Sequence, residues 1–471
     1  MPSKAPKSYY VCTECGERSL KWFGRCPACD AWNTLVEEVG APKVNASRSL
    51  WAGAAPVNGR SVPLSQAALA EAERMRLDSE EIDRVLGGGL VPGALILLGG
   101  EPGVGKSTLL LQIASLFSNR FGDVLYVSGE ESANQVGLRA ARLGINVAKI
   151  NVLSESRVEV VREVVAAEKP GLLIVDSIQT MAHPELESSP GSVAQVRECC
   201  AVFAQMAKER AMPAFVVGHV NKQGSLAGPK VLEHAVDVVL SFEGEEHTPL
   251  RMLRATKNRF GPTHEVGLFE MKREGLVPVS NPSEFLLAER PKGSPGSVVT
   301  ASREGSRPLL VEVQALVAQT AFGGTPRRQV SGADYNRVSI ILAVLEKRMG
   351  IPLQSMDVYV NIAGGIRVSE PACDLGVAVA VASSARGEPL PQDTVVFGEI
   401  GLAGELRSVA HTSERLVEAA RLGFRKAVVP LPRKGGGTVA AGIEVVGVQT
   451  VQEALVEAFR GAGSSQGGVY R

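Results

Sequence analysis

No run of about 18 apolar residues occurs anywhere in the 471-residue chain, so the sequence offers no helix able to cross a bilayer. It has no excess of charge of either sign, because 50 Lys and Arg stand against 50 Asp and Glu. A uniformly basic surface is thereby excluded, and any hold on a polyanion has to come from local clusters. The opening Met1-Pro2-Ser3-Lys4-Ala5-Pro6-Lys7 carries no apolar stretch behind its lysines, so no secretory signal is read and the expected compartment is the cytoplasm. Seven cysteines are an odd number for a disulfide framework, and four of them crowd between residues 12 and 29. No repeat of solenoid period is present. With 45% hydrophobic residues, extended disorder is excluded as well.

What is there divides the chain into segments of different texture. Residues 1–36 are a Cys- and Trp-bearing module, 37–66 a linker rich in small and polar residues, 67–285 a first large domain, 286–460 a second, and 461–471 a small polar tail expected to be disordered. In the first large domain short apolar runs at 95–98, 124–127, 172–175 and 215–217 have the length of strands buried on both faces. They alternate with amphipathic stretches at 107–119, 132–143, 156–168 and 193–210, which predicts an α/β domain on a parallel sheet. Beyond the Pro/Gly/Ser cluster at 291–297, strands and helices mix, and a second α/β or α+β domain is expected.

Cys12 and Cys15 are separated by two residues, Cys26 and Cys29 likewise, and ten residues lie between the pairs. Each pair can turn two thiolates onto one tetrahedral ion, and Zn2+ binding supplies the folding free energy that so small a module lacks. Four sulfur ligands leave no open position, so the zinc is expected to be structural. Trp22, Phe23 and Trp32 are expected to pack around the metal site rather than to stack on bases. Cys199, Cys200 and Cys373 read as buried small apolar residues.

The segment Gly100-Glu101-Pro102-Gly103-Val104-Gly105-Lys106-Ser107 follows an apolar run and precedes a helical pattern, the setting in which G-x-x-x-x-G-K-[ST] wraps phosphates with backbone N–H groups. Lys106 is the cation for the β and γ phosphates of ATP, Ser107 a ligand of Mg2+, and Thr108 lies toward the α phosphate. Asp176, at the end of another apolar run, can hold the Mg2+ shell. Glu130 or Glu131, just past the run at 124–127, can orient and deprotonate an attacking water, with Glu130 preferred. His219 and Asn221 stand beyond the run at 215–217, where ligands bind in open α/β sheets.

The four-Cys module, the 100–108 loop and Lys257-Asn258-Arg259-Phe260-Gly261, in that order, resemble the bacterial RadA (Sms) family of DNA repair proteins over almost the whole chain. The central block, with Asp83 to Gly89 and Tyr126 to Ser132, resembles RecA-like ATPases. The fold class this implies is α/β: a RecA-like P-loop ATPase core with a parallel sheet, an N-terminal zinc module and a C-terminal Lon-protease-like domain. What the resemblance implies for function is a DNA-dependent, helicase-like ATP hydrolase. It would assemble as a homo-hexamer, bind single-stranded DNA and promote branch migration of branched recombination intermediates, with a recombinase as partner and no membrane. By the same resemblance, Lys257 and Arg259 couple the nucleotide to DNA or to a neighbouring subunit. The glycine-rich stretch 219–230, with Lys222 and Lys230, looks like a mobile DNA-binding loop.

The last block resembles the proteolytic domain of Lon through 364–376 and 397–407. An ungapped alignment sets the nucleophile position on Gly376 and the lysine position on Ser413, so the Ser and Lys pair needed for peptide hydrolysis is absent. The block is expected to be a scaffold for ring assembly, with Arg303, Arg307, Arg327, Arg328, Arg337, Lys347 and Arg348 as a candidate DNA-facing patch. Two other readings stay open on sequence alone: a nucleotide-switched DNA-binding adaptor that does not move, and an ATP-dependent peptidase.

Overall fold

A computed structural model describes residues 8–12, 18–27, 31–39, 74–219, 231–244, 248–263, 265–320, 324–431 and 442–460. Residues 40–66 of the linker, the tail, Cys15, Cys29, Asn221, Lys222 and Lys230 lie outside the described residues, while 37–39, placed in the linker by sequence, complete a strand of the first module. The chain divides into two compact units, Met1–Pro278 and Val279–Arg471. That division falls a few residues before the expected 285/286. The reason is the helix Pro282–Leu287, which is tied to the second unit: the Ser283 hydroxyl donates to Glu418 at 2.6 Å and accepts from the Leu310 N–H at 3.1 Å.

The first unit begins with a three-stranded antiparallel sheet of β1 (Ser8–Cys12), β2 (Arg18–Ser19) and β3 (Leu35–Val39) in the order β2-β1-β3. Its core is small: Cys12, Cys26 and Leu35, with Tyr10 against them.

The large sheet is built from β4 (Leu95–Gly100), β5 (Val124–Ser128), β6 (Ile150–Ser154), β7 (Leu172–Asp176), β8 (Ala214–His219), β9 (Val238–Glu243), β10 (Leu250–Asn258), β11 (Val266–Lys272) and β12 (Gly275–Pro278). Their spatial order is β12-β11-β10-β9-β4-β8-β7-β5-β6. From β9 to β6 all neighbours are parallel, and β10 to β12 extend the sheet by antiparallel pairing. The four apolar runs are β4, β5, β7 and β8. Their continuity has a structural cause, since Ile96, Leu98, Tyr126 and Ile174 enter one core while Leu95, Leu97, Val127 and Val175 enter another on the opposite face. The helices Lys106–Arg120 and Ala133–Leu143 cover the first face, and Val158–Glu168 and Val193–Arg210 the second. Cys199 and Cys200 are buried in that second core, and burial pushes both thiols up to about 12.

In the second unit β13 (Ser297–Glu304), β14 (Arg307–Gln319), β15 (Arg328–Ser331), β16 (Met356–Ile362), β17 (Thr394–Val396), β20 (Lys426–Pro430) and β21 (Glu444–Val448) form a mixed sheet in the order β15-β16-β14-β13-β17-β20-β21. The two short strands β18 (Glu399–Ile400) and β19 (Leu406–Arg407) pair separately. The helix Asp374–Arg386 is buried along ten of its residues, from Asp374 to Ser383. Among the described residues, no helix is long and apolar enough to cross a membrane.

Candidate functional site

The loop between β4 and the helix Lys106–Arg120 carries the phosphate-binding pattern. Gly103 and Gly105 have φ of 81° and 111°, a region that disfavours residues with a Cβ, and Gly105 in that conformation starts the helix. The first turn therefore presents unpaired N–H groups and the positive helix end to the loop, which is what a phosphate requires. Lys106 is only 6% exposed, and its ammonium donates to the carbonyls of Gly100 at 2.8 Å and Glu101 at 2.9 Å. Burial lowers its pKa, opposed by the carboxylates of Asp176 and Glu130. Those three residues thus share one field at the carboxyl ends of β4, β5 and β7.

Asp176 ends β7 beside β5, in register with Ser128. One of its carboxylate oxygens accepts from the Tyr126 hydroxyl at 2.6 Å. Burial with the Asp176 charge drives the Tyr126 pKa well up, and the nearby Ser107 opposes the rise. A hydroxyl and a carboxylate beside a phosphate loop are a hard oxygen donor set, which fits Mg2+. The two candidate bases separate here. Glu131 is paired with Arg139 at 2.6 Å, whereas Glu130 accepts from the Ser177 hydroxyl at 2.6 Å and bears on Lys106. His219 lies in register with Gly100 at the end of β8.

The loop rests on the antiparallel extension, a part of the site that the sequence reading missed. Arg251 on β10 is 7% exposed, and its Nε donates to the Val104 carbonyl at 3.1 Å while Nη1 donates to Leu250 O at 2.8 Å. A Cβ at Gly100 would lie 2.6 Å from the Phe242 carbonyl, and one at Gly105 would lie 2.6 Å from Met271 Cε. Gln112 bonds both the N–H and the carbonyl of Leu276, each at 3.0 Å. A lone arginine in a strand pattern gives no sign of this, because its partner is 147 residues away.

Lys257 and Arg259 are placed elsewhere. Lys257 Nζ donates to the carbonyls of Glu233 at 2.5 Å and Val236 at 2.7 Å, and Arg259 pairs with Asp237 at 3.3 Å. Asp237 in turn accepts from the Leu95 N–H at 3.1 Å. These cations therefore sit at the amino end of β4, while the phosphate loop follows its carboxyl end, about 17 Å along the strand. They cannot serve their own chain's loop. Burial, then Arg259, lowers the Lys257 pKa. The turn that follows them meets the 83–89 segment, where a Cβ on Gly87 would lie 3.1 Å from Gly261 Cα, and Arg74 donates to the Phe260 carbonyl.

Cys12 and Cys26, the described members of the four-Cys spacing, are buried together, and paired thiols suit Zn2+. The aromatic expectation is corrected. Trp22, Phe23 and Trp32 are 54%, 45% and 70% exposed and are not part of the core that holds Cys12 and Cys26. The indole N–H of Trp22 donates to the Leu35 carbonyl at 3.2 Å, which lays the ring along the surface instead.

In the second unit, a Cβ on Gly376 would lie 2.7 Å from Thr300 Cβ, so the position assigned to a nucleophile has no room for a side chain. Ser413 is exposed on the helix Thr412–Arg421, and burial pushes the Cys373 thiol up to about 12. The expected basic patch is partly spent within the unit. Arg337 pairs with buried Asp374, Arg328 donates to the carbonyls of Met356 and Leu353, Arg307 donates to Ser280 O at 2.9 Å, and Arg303 approaches Glu414 at 3.6 Å. Arg327, Lys347 and Arg348 are exposed.

Residues 67–225 match the AAA domain family, residues 10–37 the rubredoxin metal binding domain, and residues 311–432 the ChlI subunit of Mg-chelatase. DNA repair protein RadA of Halalkalibacterium halodurans is 50% identical over 449 residues, covering 95% of this chain and 98% of that protein. DNA repair protein RadA of Bacillus subtilis is 49% identical over 449 residues with the same coverage. Among solved structures, a KaiC-like protein of Pyrococcus horikoshii OT3 is 21% identical, with 44% of this chain and 99% of that one covered at a TM-score of 0.38.

Proposed function

The chain belongs to the family of the DNA repair protein RadA, and from that premise we propose that it is a DNA-dependent ATPase of the cytoplasm. In this reading it assembles as a ring, binds single-stranded DNA and extends branches of recombination intermediates alongside a recombinase. The observation that carries the reading is the split between the two ends of β4. Lys106, Ser107, Asp176 and Glu130 gather at one end, while Lys257 and Arg259 wait at the other, too far to reach the same nucleotide. An active site assembled from two subunits makes hydrolysis depend on the ring, as a cation supplied by a neighbour does in other phosphoryl-transfer enzymes.

Bound ATP with Mg2+ supplies the phosphoanhydride to be cleaved and the charge that neutralises its phosphates. The chain's own residues do the rest. Lys106, with the backbone N–H groups of 103–108, binds the phosphate end, and the Tyr126 hydroxyl holds the Asp176 carboxylate in place. Glu130 takes the proton of the attacking water, and the Ser177 hydroxyl at 2.6 Å fixes which way its carboxylate faces. Lys222 and Lys230 hold DNA phosphates without reading sequence, so binding falls steeply with salt.

Steady-state ATP hydrolysis with and without single-stranded DNA, with Lys106→Ala as the blank, is the test. A several-fold rise with DNA is expected, and hydrolysis indifferent to DNA overturns the reading. Branch extension on a three-strand substrate then separates a motor from a switch that only binds and releases.

A further inference from the structure

The exposed aromatics of the zinc module are not explained by metal binding. Trp22 and Trp32 flank the same glycine: a Cβ on Gly24 would lie 3.8 Å from the edge of one ring and 3.9 Å from the other. The Trp22 ring is fixed through its indole N–H to Leu35, while the Trp32 backbone is bridged to Arg25, whose guanidinium lies 5.9 Å from the Trp32 ring centroid. Phe23 lies between the two indoles in sequence, and Leu20 beside them is 82% exposed. Half-bare rings beside one another, one of them fixed, lose little entropy when a flat partner stacks on them.

The cations nearest the rings point to the partner. Between residues 18 and 35 the sequence carries Arg18, Lys21 and Arg25 with one acid, Asp30, while Glu14, Glu17, Glu37 and Glu38 lie outside that stretch. Lys21 and Arg25 are exposed beside the aromatic residues. Aromatic faces interleaved with cations match unpaired bases on a phosphate backbone: the rings stack on any base, and the cations meet the phosphates.

We propose that Trp22, Phe23 and Trp32, with Lys21 and Arg25, form a second contact for single-stranded DNA that stacks on its bases, separate from the lysines of 222–230. The inference rests on the proposed DNA-binding function and adds a place and a mode to it. Tightness would then come from two linked contacts on one strand, so neither needs to be strong alone.

The chain holds three tryptophans, and the third is Trp51 in the linker. The full-length Trp51→Phe protein therefore reports the pair alone. It is titrated with fluorescein-labelled oligo(dT), following anisotropy for binding and indole emission for stacking. Indole quenching that saturates with the anisotropy is expected. Trp32→Leu, the more exposed ring, should weaken oligo(dT) binding about tenfold with zinc content and basal ATP hydrolysis unchanged, and Trp32→Phe should recover most of the loss. Full anisotropy change without quenching, or wild-type affinity in Trp32→Leu, overturns the inference and turns the face over to a protein partner. No anisotropy change at all defeats the proposed DNA-binding function, and this inference with it.

Discussion

Mixing two inactive variants tests whether one nucleotide is served by two chains. Lys257 Nζ is tied to the carbonyls of Glu233 and Val236, and Arg259 to Asp237, which bonds the first residue of β4. Lys106 lies beyond the last residue of that strand, about 17 Å further on. A lysine side chain spans roughly a third of that distance, so no rotamer brings Lys257 to the loop of its own chain. Lys106→Ala and Lys257→Ala should each abolish DNA-stimulated hydrolysis alone. In rings mixed at equal ratio, a competent site needs the loop of a Lys257→Ala subunit next to the intact Lys257 of a Lys106→Ala subunit. Random mixing gives that arrangement at about one site in four, so activity should return to about a quarter of wild type. The assay is DNA-stimulated phosphate release from co-assembled, differently tagged subunits, with co-purification proving that both variants share rings. No recovery in proven mixed rings would refute the two-chain site.

Three further outcomes follow from the geometry. Arg251→Met removes the donor that holds the Val104 carbonyl, and should weaken nucleotide binding ~10-fold or more in a direct titration; a variant that binds as wild type would show the loop needs no such support. The depressed Lys106 pKa means that its charge is lost as pH rises through a value below the ordinary 10.5. ATP affinity should accordingly fall on the alkaline side before that pH, with proton uptake on binding seen by calorimetry in buffers of different ionisation enthalpy; flat affinity to that pH would contradict it. Gly376→Ser forces an atom against Thr300 and should cost about 1–3 kcal/mol in the second unit without conferring peptide cleavage. Thr300→Gly, which removes the Cβ that is met, should relieve most of that loss in a thermal melt, and additive losses would mean that the two positions do not touch.

The sequence carried the nucleotide half of the site in legible form because each of its signals is local. Gly103, Gly105, Lys106 and Ser107 lie within five residues, and Asp176 closes an apolar run whose strand nature follows from burial on both faces. The antiparallel extension was not legible. Its longest strand, β10, shows no regular alternation, since Arg251, Met252 and Leu253 are buried in succession. Trp22, Phe23 and Trp32 were misjudged for a related reason. Aromatics near thiols commonly build a core, but among the described residues this module's core is made by Cys12, Cys26 and Leu35 with Tyr10 against them.

By itself the sequence determined the three-part organisation, the RecA-like core, the phosphate loop and the four-thiol spacing, because periodicity and short motifs are written along the chain. Only the tertiary structure decided which acid faces Lys106, which arginine supports its loop, and that Lys257 lies at the wrong end of β4 to help its own chain. Those are facts about pairs of residues far apart in sequence. Register between strands, and nothing local, sets their distance.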